Sequence, residues 1–346
     1  MDEQRSQLRD SLTRRLTSVP PKGAWEALRE LGVLGLRVPE SLGGLGLSVR
    51  EAEPVFEAIG EQRTPVPYLD TAVIAAGLLQ LERTTEGDEL LRSIAAGEAR
   101  VAVAGIDRRL RNAVSVTPMA TRWRLDGDAK LVLDGAEAGS ILVAARTETY
   151  TTALLLVRSG AEGLTRHDYP TIDGRWASDL RFIAAEATLL THDAHEALIT
   201  AVDEAIACLS IEAAALMRRL VSDTVEYAKQ REQFGQSVAR FQVVQHRLVD
   251  MHIQARRAGA IARRAMAALD GHWRERGRLA SAAKATAVEA GRFVGQQAVQ
   301  LHGGMGMTDE LAIGRYFKRL TAIETELGSA DEHRRRYAKL TVDEAA

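Results

Sequence analysis

The spacing of apolar residues divides the chain into three zones. Over residues 3 to about 96, apolar side chains such as Trp25 and Leu28 recur every three or four positions, which predicts helices interrupted by Gly/Pro turns. From about 99 to about 190, short Val/Leu/Ile runs are separated by Asp-Gly pairs, a pattern typical of strands joined by tight turns. Beyond about residue 192, helical spacing returns in long segments with few prolines.

This succession predicts an α+β protein of three domains. We expect an N-terminal helical domain over residues 1–97, a middle β domain over 98–191 and a C-terminal helical domain over 192–346. The C-terminal segments are rich in strong helix formers, which favours antiparallel helices packed as a bundle. The 346 residues are enough to build cores of this number and size.

Composition narrows the possible functions. The formal net charge is −2 and basic residues are interspersed with acidic ones, so neither nucleic acid nor a membrane surface is expected as a partner. Cys208 is the only cysteine, which excludes an internal disulfide and a cysteine-based zinc site, and no metal site is predicted. The charged N-terminus lacks a signal-peptide core and no apolar run is long enough to cross a bilayer, so we expect a cytoplasmic protein.

The first candidate binding motif is Arg231-Glu-Gln-Phe-Gly, at the end of a predicted helix. The planar guanidinium could pair bidentately with a phosphate, and Phe234-Gly235 is expected to end the helix. Alternatively, Arg231 offsets the helix dipole or pairs with Glu226 or Glu232, which is the commoner role of an isolated helical arginine.

Two further segments extend this candidate site. Gln242 of the Phe241-Gln242 pair offers an amide for an adenine or ribose. Phe241 and Phe234 are at least as well suited to packing in the core as to contacting a ligand. Gln300-Leu-His-Gly-Gly-Met-Gly306 ends another predicted helix, and its glycines free backbone N–H groups to face a ligand. A plain turn between helices is the alternative for this segment. His302 is expected to be structural, because no ligand-spaced carboxylate or second histidine is near it in the sequence.

Together these segments resemble the acyl-CoA dehydrogenase family, in which they hold the pyrophosphate and adenosine end of FAD. The resemblance includes residues 25–46, which contain Trp-Glu-Ala-Leu and Val-Pro-Glu-Ser-Leu-Gly-Gly-Leu-Gly, and it covers nearly the whole chain. It implies a middle domain like a small β-barrel and a C-terminal antiparallel four-helix bundle. It also implies FAD as the cofactor, with contacts from Arg231, Gln233, Phe234, Gln242, Gln300, Gly303 and Gly304.

The family's catalytic base is not matched in this sequence. Oxidation of an acyl-CoA at Cα–Cβ needs a carboxylate that removes the α-proton while the flavin accepts hydride from Cβ. The resemblance puts the base of one branch at Leu327, before Gly328-Ser329, and that of a second branch at Ala205. Neither side chain can accept a proton.

Carboxylates near these two positions could substitute for the base, but each is expected to be solvated or ion-paired. They are Glu204, Glu212, Glu324 and Glu326. Glu326 is the best of them, although it is one residue out of register with the base, which on a helix means a rotation of about 100°.

The β zone also departs from the family pattern. Family members carry a Thr/Ser-Glu-Pro-x-Ala-Gly-Ser-Asp segment and a Trp-Ile-Thr/Ser strand against the flavin ring, and residues 101–112 and 132–143 contain neither. In the family each FAD lies between two subunits, and this chain keeps the segments that reach across. The resemblance therefore implies the base-deficient subunit of an α2β2 heterotetramer, similar to those of actinobacterial steroid side-chain catabolism. The implied partners are an acyl-CoA substrate, a second acyl-CoA dehydrogenase-like subunit and electron-transfer flavoprotein.

Two other functions remain compatible with the sequence. One is a self-sufficient homotetrameric acyl-CoA dehydrogenase that uses a displaced carboxylate such as Glu326. The other is a non-enzymatic helical scaffold that binds no flavin. A di-iron helical bundle is excluded, because no helix offers paired Glu-x-x-His motifs.

Overall fold

The computed structural model describes residues 2–81, 83–106, 114–118, 123–148, 151–304 and 312–345. Within them, helices come first, strands follow and helices return, so the predicted α+β fold with helical, β and helical parts is confirmed. Residues 107–112 of the β zone and Gly306 of the glycine motif lie outside the described residues.

The helices differ widely in length, and α6 is the longest described one at 36 residues. They are α1 (Asp2–Thr17), α2 (Ala24–Glu30), α3 (Glu53–Gln62), α4 (Ala76–Leu78), α5 (Thr85–Ala95), α6 (His195–Gln230), α7 (Gln242–Ala267), α8 (Trp273–His302), α9 (Ile313–Thr325) and α10 (Ala330–Ala345). None of the described helices combines the length and apolarity needed to span a bilayer.

The strands fall into one large sheet and one short hairpin. They are β1 (Val101–Ala104), β2 (Ser115–Pro118), β3 (Trp123–Leu133), β4 (Ser140–Arg146), β5 (Thr152–Arg158), β6 (Leu164–Pro170), β7 (Trp176–Thr191), β8 (Glu232–Gln233) and β9 (Gln236–Ser237).

The chain packs as two compact units. The first comprises Met1–Ser18, Glu53–Thr64 and Ile206–Ala346, and the second comprises Val19–Ala52 and Pro65–Ala205. The domain boundaries predicted after residues 97 and 191 follow changes of secondary structure rather than compactness, and they stay predictions.

The large sheet of the second unit closes on itself. Strands β4, β2, β3, β7 and β5 are hydrogen-bonded in that order, and β5 then pairs with β4 from Ser140↔Arg158 to Arg146↔Thr152. Its interior is filled by buried side chains, among them Leu125, Ile141 and Phe182, which are each at most 2% exposed. Among the described strands, β1 pairs only with β4 and β6 only with β7, so these two remain at edges while the closed ring leaves the other strands paired on both sides, which favours a stable barrel-like domain.

In the first unit, small residues let the helices approach closely. A β-carbon built on Gly60 of α3 would lie 2.5 Å from the carbonyl oxygen of Glu212 and 2.8 Å from the β-carbon of Ala215, both on α6. By contrast, a β-carbon on Gly259 of α7 would lie 3.7 Å from Ala214, which is ordinary van der Waals contact. Only the first of these glycines is therefore required by packing.

We expect Gly60→Ala to lower the free energy of unfolding by about 1–3 kcal/mol, because the new methyl group forces α3 away from α6. The matched control, Gly259→Ala, should be neutral or stabilising by up to about 1 kcal/mol, because alanine is the better helix former. Urea unfolding of both variants measures the difference. Equal effects would mean that the α3–α6 approach is not as close as described.

Candidate functional site

The chain leaves α6 at Gln230 and immediately forms a short hairpin. Strands β8 and β9 pair Glu232 with Ser237 and Gln233 with Gln236. Phe234 and Gly235 connect them with φ of 53° and 77°, as in a two-residue turn with two left-handed residues. The prediction that Phe234-Gly235 ends the helix is therefore wrong, since the helix stops earlier and these residues form the hairpin tip.

A cavity of about 650 Å³ lies beside this hairpin, where α6 ends, α7 begins and α8 ends. It brings together five of the seven predicted cofactor contacts, although they come from segments far apart in the chain. These five are Arg231, Gln233, Gln300, Gly303 and Gly304. Apolar side chains complete the wall, including Val238, Val243, Val244 and Leu301.

Arg231 is the residue directly after α6, and it lines this cavity. One of its alternative partners, Glu226, is instead paired with Lys229 at 2.7 Å. Among the described residues, the exposed guanidinium of Arg231 has no ion pair or hydrogen bond. The arrangement therefore leaves a cation available to an anionic ligand, which is the role that a planar guanidinium performs best.

The two glycines after α8 differ in what the structure requires of each position. Gly303 has φ 59° and ψ −139°, a conformation that other residues adopt only under strain. Its N–H is already bonded to the carbonyl of Gln300. At Gly304 no positive φ is recorded, and a β-carbon there would have no atom of the described residues within 4 Å. The packing of the described residues therefore does not demand glycine at position 304, which suits a ligand that approaches the backbone.

Phe234 and Gln242 do not line the cavity. The ring of Phe234 is 93% exposed and stands edge-on to Phe241, with centroids 6.1 Å apart. Core packing, the alternative for Phe234, is therefore wrong. Gln242 is the first residue of α7 and is exposed. A single compact ligand inside the cavity would not contact all seven predicted residues, whereas an extended one that continues past the hairpin could.

The structure adds three lining residues that the sequence patterns did not single out as ligand contacts: Tyr227, Arg247 and His302. Tyr227 lies one helical turn before Arg231, so helical spacing could have found it. Arg247 donates from Nη1 to Oε1 of Gln297 at 3.0 Å and adds a second guanidinium to the lining. His302 is buried, and this burial lowers its pKa, as suits the structural role expected for it.

At the two positions where the resemblance predicts the base, the structure has apolar side chains. Leu327 lies in the turn between α9 and α10 with φ of 55°, and Ala205 is fully buried in α6. Neither position offers a group that accepts a proton.

The nearby carboxylates are held in ion pairs, as expected. Arg319 donates from Nε and Nη2 to Glu212 at 2.6 and 2.9 Å, and from Nη1 to Glu326 at 3.0 Å. The side chain of Glu326 is only 7% exposed. Glu204 pairs with Arg37 at 2.7 Å, and Glu324 pairs with Arg292. Glu326 is therefore a structural partner of Arg319 in this conformation.

Comparison with known proteins gives two matching family models. Residues 5–98 match the N-terminal domain of acyl-CoA dehydrogenase, and residues 196–340 match its C-terminal domain.

Individual relatives match along most of their length. Acyl-CoA dehydrogenase FadE27 of Mycobacterium tuberculosis is 29% identical over 330 residues, covering 91% of this chain and 87% of the relative. Acyl-CoA dehydrogenase IpdE2 of Mycolicibacterium smegmatis is 29% identical over 315 residues, covering 90% and 86%.

Two solved structures are similar in fold and sequence. A variant of the Tcur3481-Tcur3483 steroid ACAD has a TM-score of 0.89 at 28% identity and covers 99% of each chain. The ChsE4-ChsE5 complex from Mycobacterium tuberculosis has a TM-score of 0.89 at 26% identity, with 98% of this chain and 97% of the other covered.

We expect Arg319→Met to lower the free energy of unfolding by about 3–5 kcal/mol, because it removes the guanidinium that pairs with the buried carboxylates of Glu212 and Glu326. Arg292→Met is the matched control, since it removes a guanidinium from an exposed pair with Glu324 and should cost less than about 1 kcal/mol. Chemical unfolding of both variants provides the measurement. A small effect of Arg319→Met would mean that these two ion pairs contribute little to stability.

Proposed function

The chain belongs to the acyl-CoA dehydrogenase family, and we propose that it is the subunit of a heteromeric enzyme that lacks the catalytic base. In this role it completes the FAD site of a second, base-containing subunit across their interface. One combination supports the proposal. The cavity at Arg231 and Gly304 keeps the groups that an FAD diphosphate needs, whereas the base positions hold Leu327 and Ala205.

The cavity residues fit the diphosphate and adenosine part of FAD. Arg231 and Arg247 supply positive charge for the phosphates, and the open backbone at Gly304 allows a phosphate to come close. The side chains of Val243 and Leu301 offer apolar surface for the adenine. Phe234 and Gln242, which lie outside the cavity, would contact the part of the cofactor that continues toward the second subunit.

The chain's own carboxylates argue against a complete active site within it. Before Glu326 could accept a proton, it would have to break its buried ion pair with Arg319, at a cost of several kcal/mol. We therefore assign removal of the α-proton to the partner subunit. When bound, FAD supplies the acceptor for hydride from Cβ of the thioester. The residues of this chain bind and orient the cofactor.

The substrate and the remaining partners are inferred from the relatives. One similar structure is a steroid ACAD, and another is the ChsE4-ChsE5 complex. We propose that this chain likewise acts in a two-component α2β2 assembly on the CoA thioester of a steroid side chain. Electrons would pass to electron-transfer flavoprotein, and the assembly would be cytoplasmic.

Purified alone, the chain should carry no flavin and should not oxidise acyl-CoA in a dye-linked assay. Co-purified with a base-containing subunit encoded by a neighbouring gene, it should form an α2β2 complex with half a flavin per chain. Flavin absorbance per chain, with mass from light scattering, provides the measurement. A yellow, active protein without any partner would contradict the proposal and favour the homotetramer that uses a displaced carboxylate.

In the assembled complex, Arg231→Ala should weaken FAD binding roughly tenfold to a hundredfold, because a charge-assisted hydrogen bond is worth about 1.5–3 kcal/mol. Arg240→Ala is the matched control, since Arg240 is exposed nearby but does not line the cavity. FAD content after dialysis against a dilution series measures the affinity. If Arg231→Ala retains FAD as well as Arg240→Ala does, the scaffold alternative gains support.

A further inference from the structure

Two aromatic rings meet inside the cavity, where α6 and α8 end. The rings of Tyr227 and His302 are stacked, with centroids 4.2 Å apart and an angle of 25° between their planes. Arg231 follows Tyr227 by one helical turn, and Gly303 directly follows His302. The pair therefore connects the helix end that carries the arginine with the helix end that carries the glycine turn.

The His302 ring is fixed in one orientation. It is 4% exposed, and its Nδ1 lies 2.8 Å from the carbonyl oxygen of Ala298. Because a carbonyl oxygen can only accept, the hydrogen is on Nδ1. Burial lowers the pKa of His302, so the ring is neutral near pH 7 and Nε2 has no hydrogen. A neutral ring can stack on the phenol without bringing an unpaired charge into the cavity wall.

The backbone of His302 is also tied to Tyr227. The tyrosine hydroxyl donates to the carbonyl oxygen of His302 at 3.4 Å, which is long for a hydrogen bond. The next N–H, that of Gly303, is bonded to Gln300. The chain then turns at Gly303 with φ 59° and ψ −139°. Because the peptide before Gly303 is held on both sides, these two dihedral angles alone set the direction of the following N–H.

That following N–H belongs to Gly304, which lines the cavity beside open space. Outside helices and strands, no described residue accepts a hydrogen bond from it. A backbone amide of fixed direction next to a free guanidinium is the arrangement that binds a phosphate group.

We propose that Tyr227 is a positioning residue. By stacking on the ring of His302 and bonding to its carbonyl, it fixes the turn at Gly303 and so aims the Gly304 N–H at a diphosphate bound beside Arg231. This role rests on the proposed function, because it presupposes a dinucleotide in the cavity. The ring carries most of the effect, since the stacking is close whereas the hydroxyl contact is long.

The test separates the ring from the hydroxyl in the assembled, partner-containing complex. Tyr227→Leu removes the ring and should weaken FAD binding about tenfold, whereas Tyr227→Phe keeps the ring and should stay within about threefold of the wild type. In the flavin-free complex, amide hydrogen exchange should quicken at the end of α8 and in the turn after it, at Leu301 to Gly303, for the Leu variant only. Tyr337→Leu, at an exposed position on α10, is the matched control and should change neither readout.

Two results would overturn the positioning role. One is FAD binding by Tyr227→Leu that is as tight as that of the wild type, and the other is an equal loss of affinity in the Tyr337→Leu control. If Tyr227→Leu does not fold, His302→Gln replaces it, since glutamine can still donate to Ala298 but has no ring; unchanged FAD affinity in that variant would overturn the role too. A wild-type complex that holds no FAD would instead contradict the proposed function itself, so the two failures are distinguishable.

Discussion

The C-terminal helices depend on the burial of one guanidinium, that of Arg319. It lies on α9 and donates to Glu212 of α6 and to Glu326 in the turn that follows α9. Taking charges out of water costs several kcal/mol for each ion, and the cost is offset only when every partner is in place. Lys284 of α8, which is fully buried, donates to the carbonyl of Glu326 at 2.6 Å and so holds the same turn from another side. Helices α6, α8 and α9 are thereby fixed in a single arrangement.

The same constraint accounts for the turn at Leu327. A leucine with φ of 55° is strained by about 1–2 kcal/mol relative to ordinary backbone. The conformation persists because Lys284 holds the preceding carbonyl and Nε2 of His333 lies 2.9 Å from the carbonyl of Leu327 itself. The turn therefore keeps a rigid, specified shape although the residue at its tip has no acid–base chemistry. Glu326 carries the carboxylate of this four-residue turn, and its ion pair with Arg319 helps to hold the turn in that shape.

Ligand binding and stability are separated along these helices. The last turn of α6 and the end of α8 carry the cavity, where Arg231 and Gly304 have open space beside them. The middle of α6, residues 203–217, is buried on all sides and carries the ionic contacts instead. Strong packing in the middle allows the helix ends to keep groups that the protein itself leaves without partners, such as the guanidinium of Arg231 within the described part of the chain.

Much of this protein could be inferred from its sequence, because apolar spacing is set by the local geometry of helices and strands. That spacing predicted the order of helices and strands, and the glycine motif marked the end of α8 at His302. The hairpin at Phe234 was missed, because a glycine after a helix fits both a helix cap and a two-residue turn. Only tertiary structure decided three features. It determined which predicted contacts share a cavity, it stacked Tyr227 on His302, and it paired Glu326 with Arg319. Tyr227 and His302 are 75 residues apart, and Arg319 and Glu326 lie on either side of the end of α9, so no local pattern records the distances between these side chains.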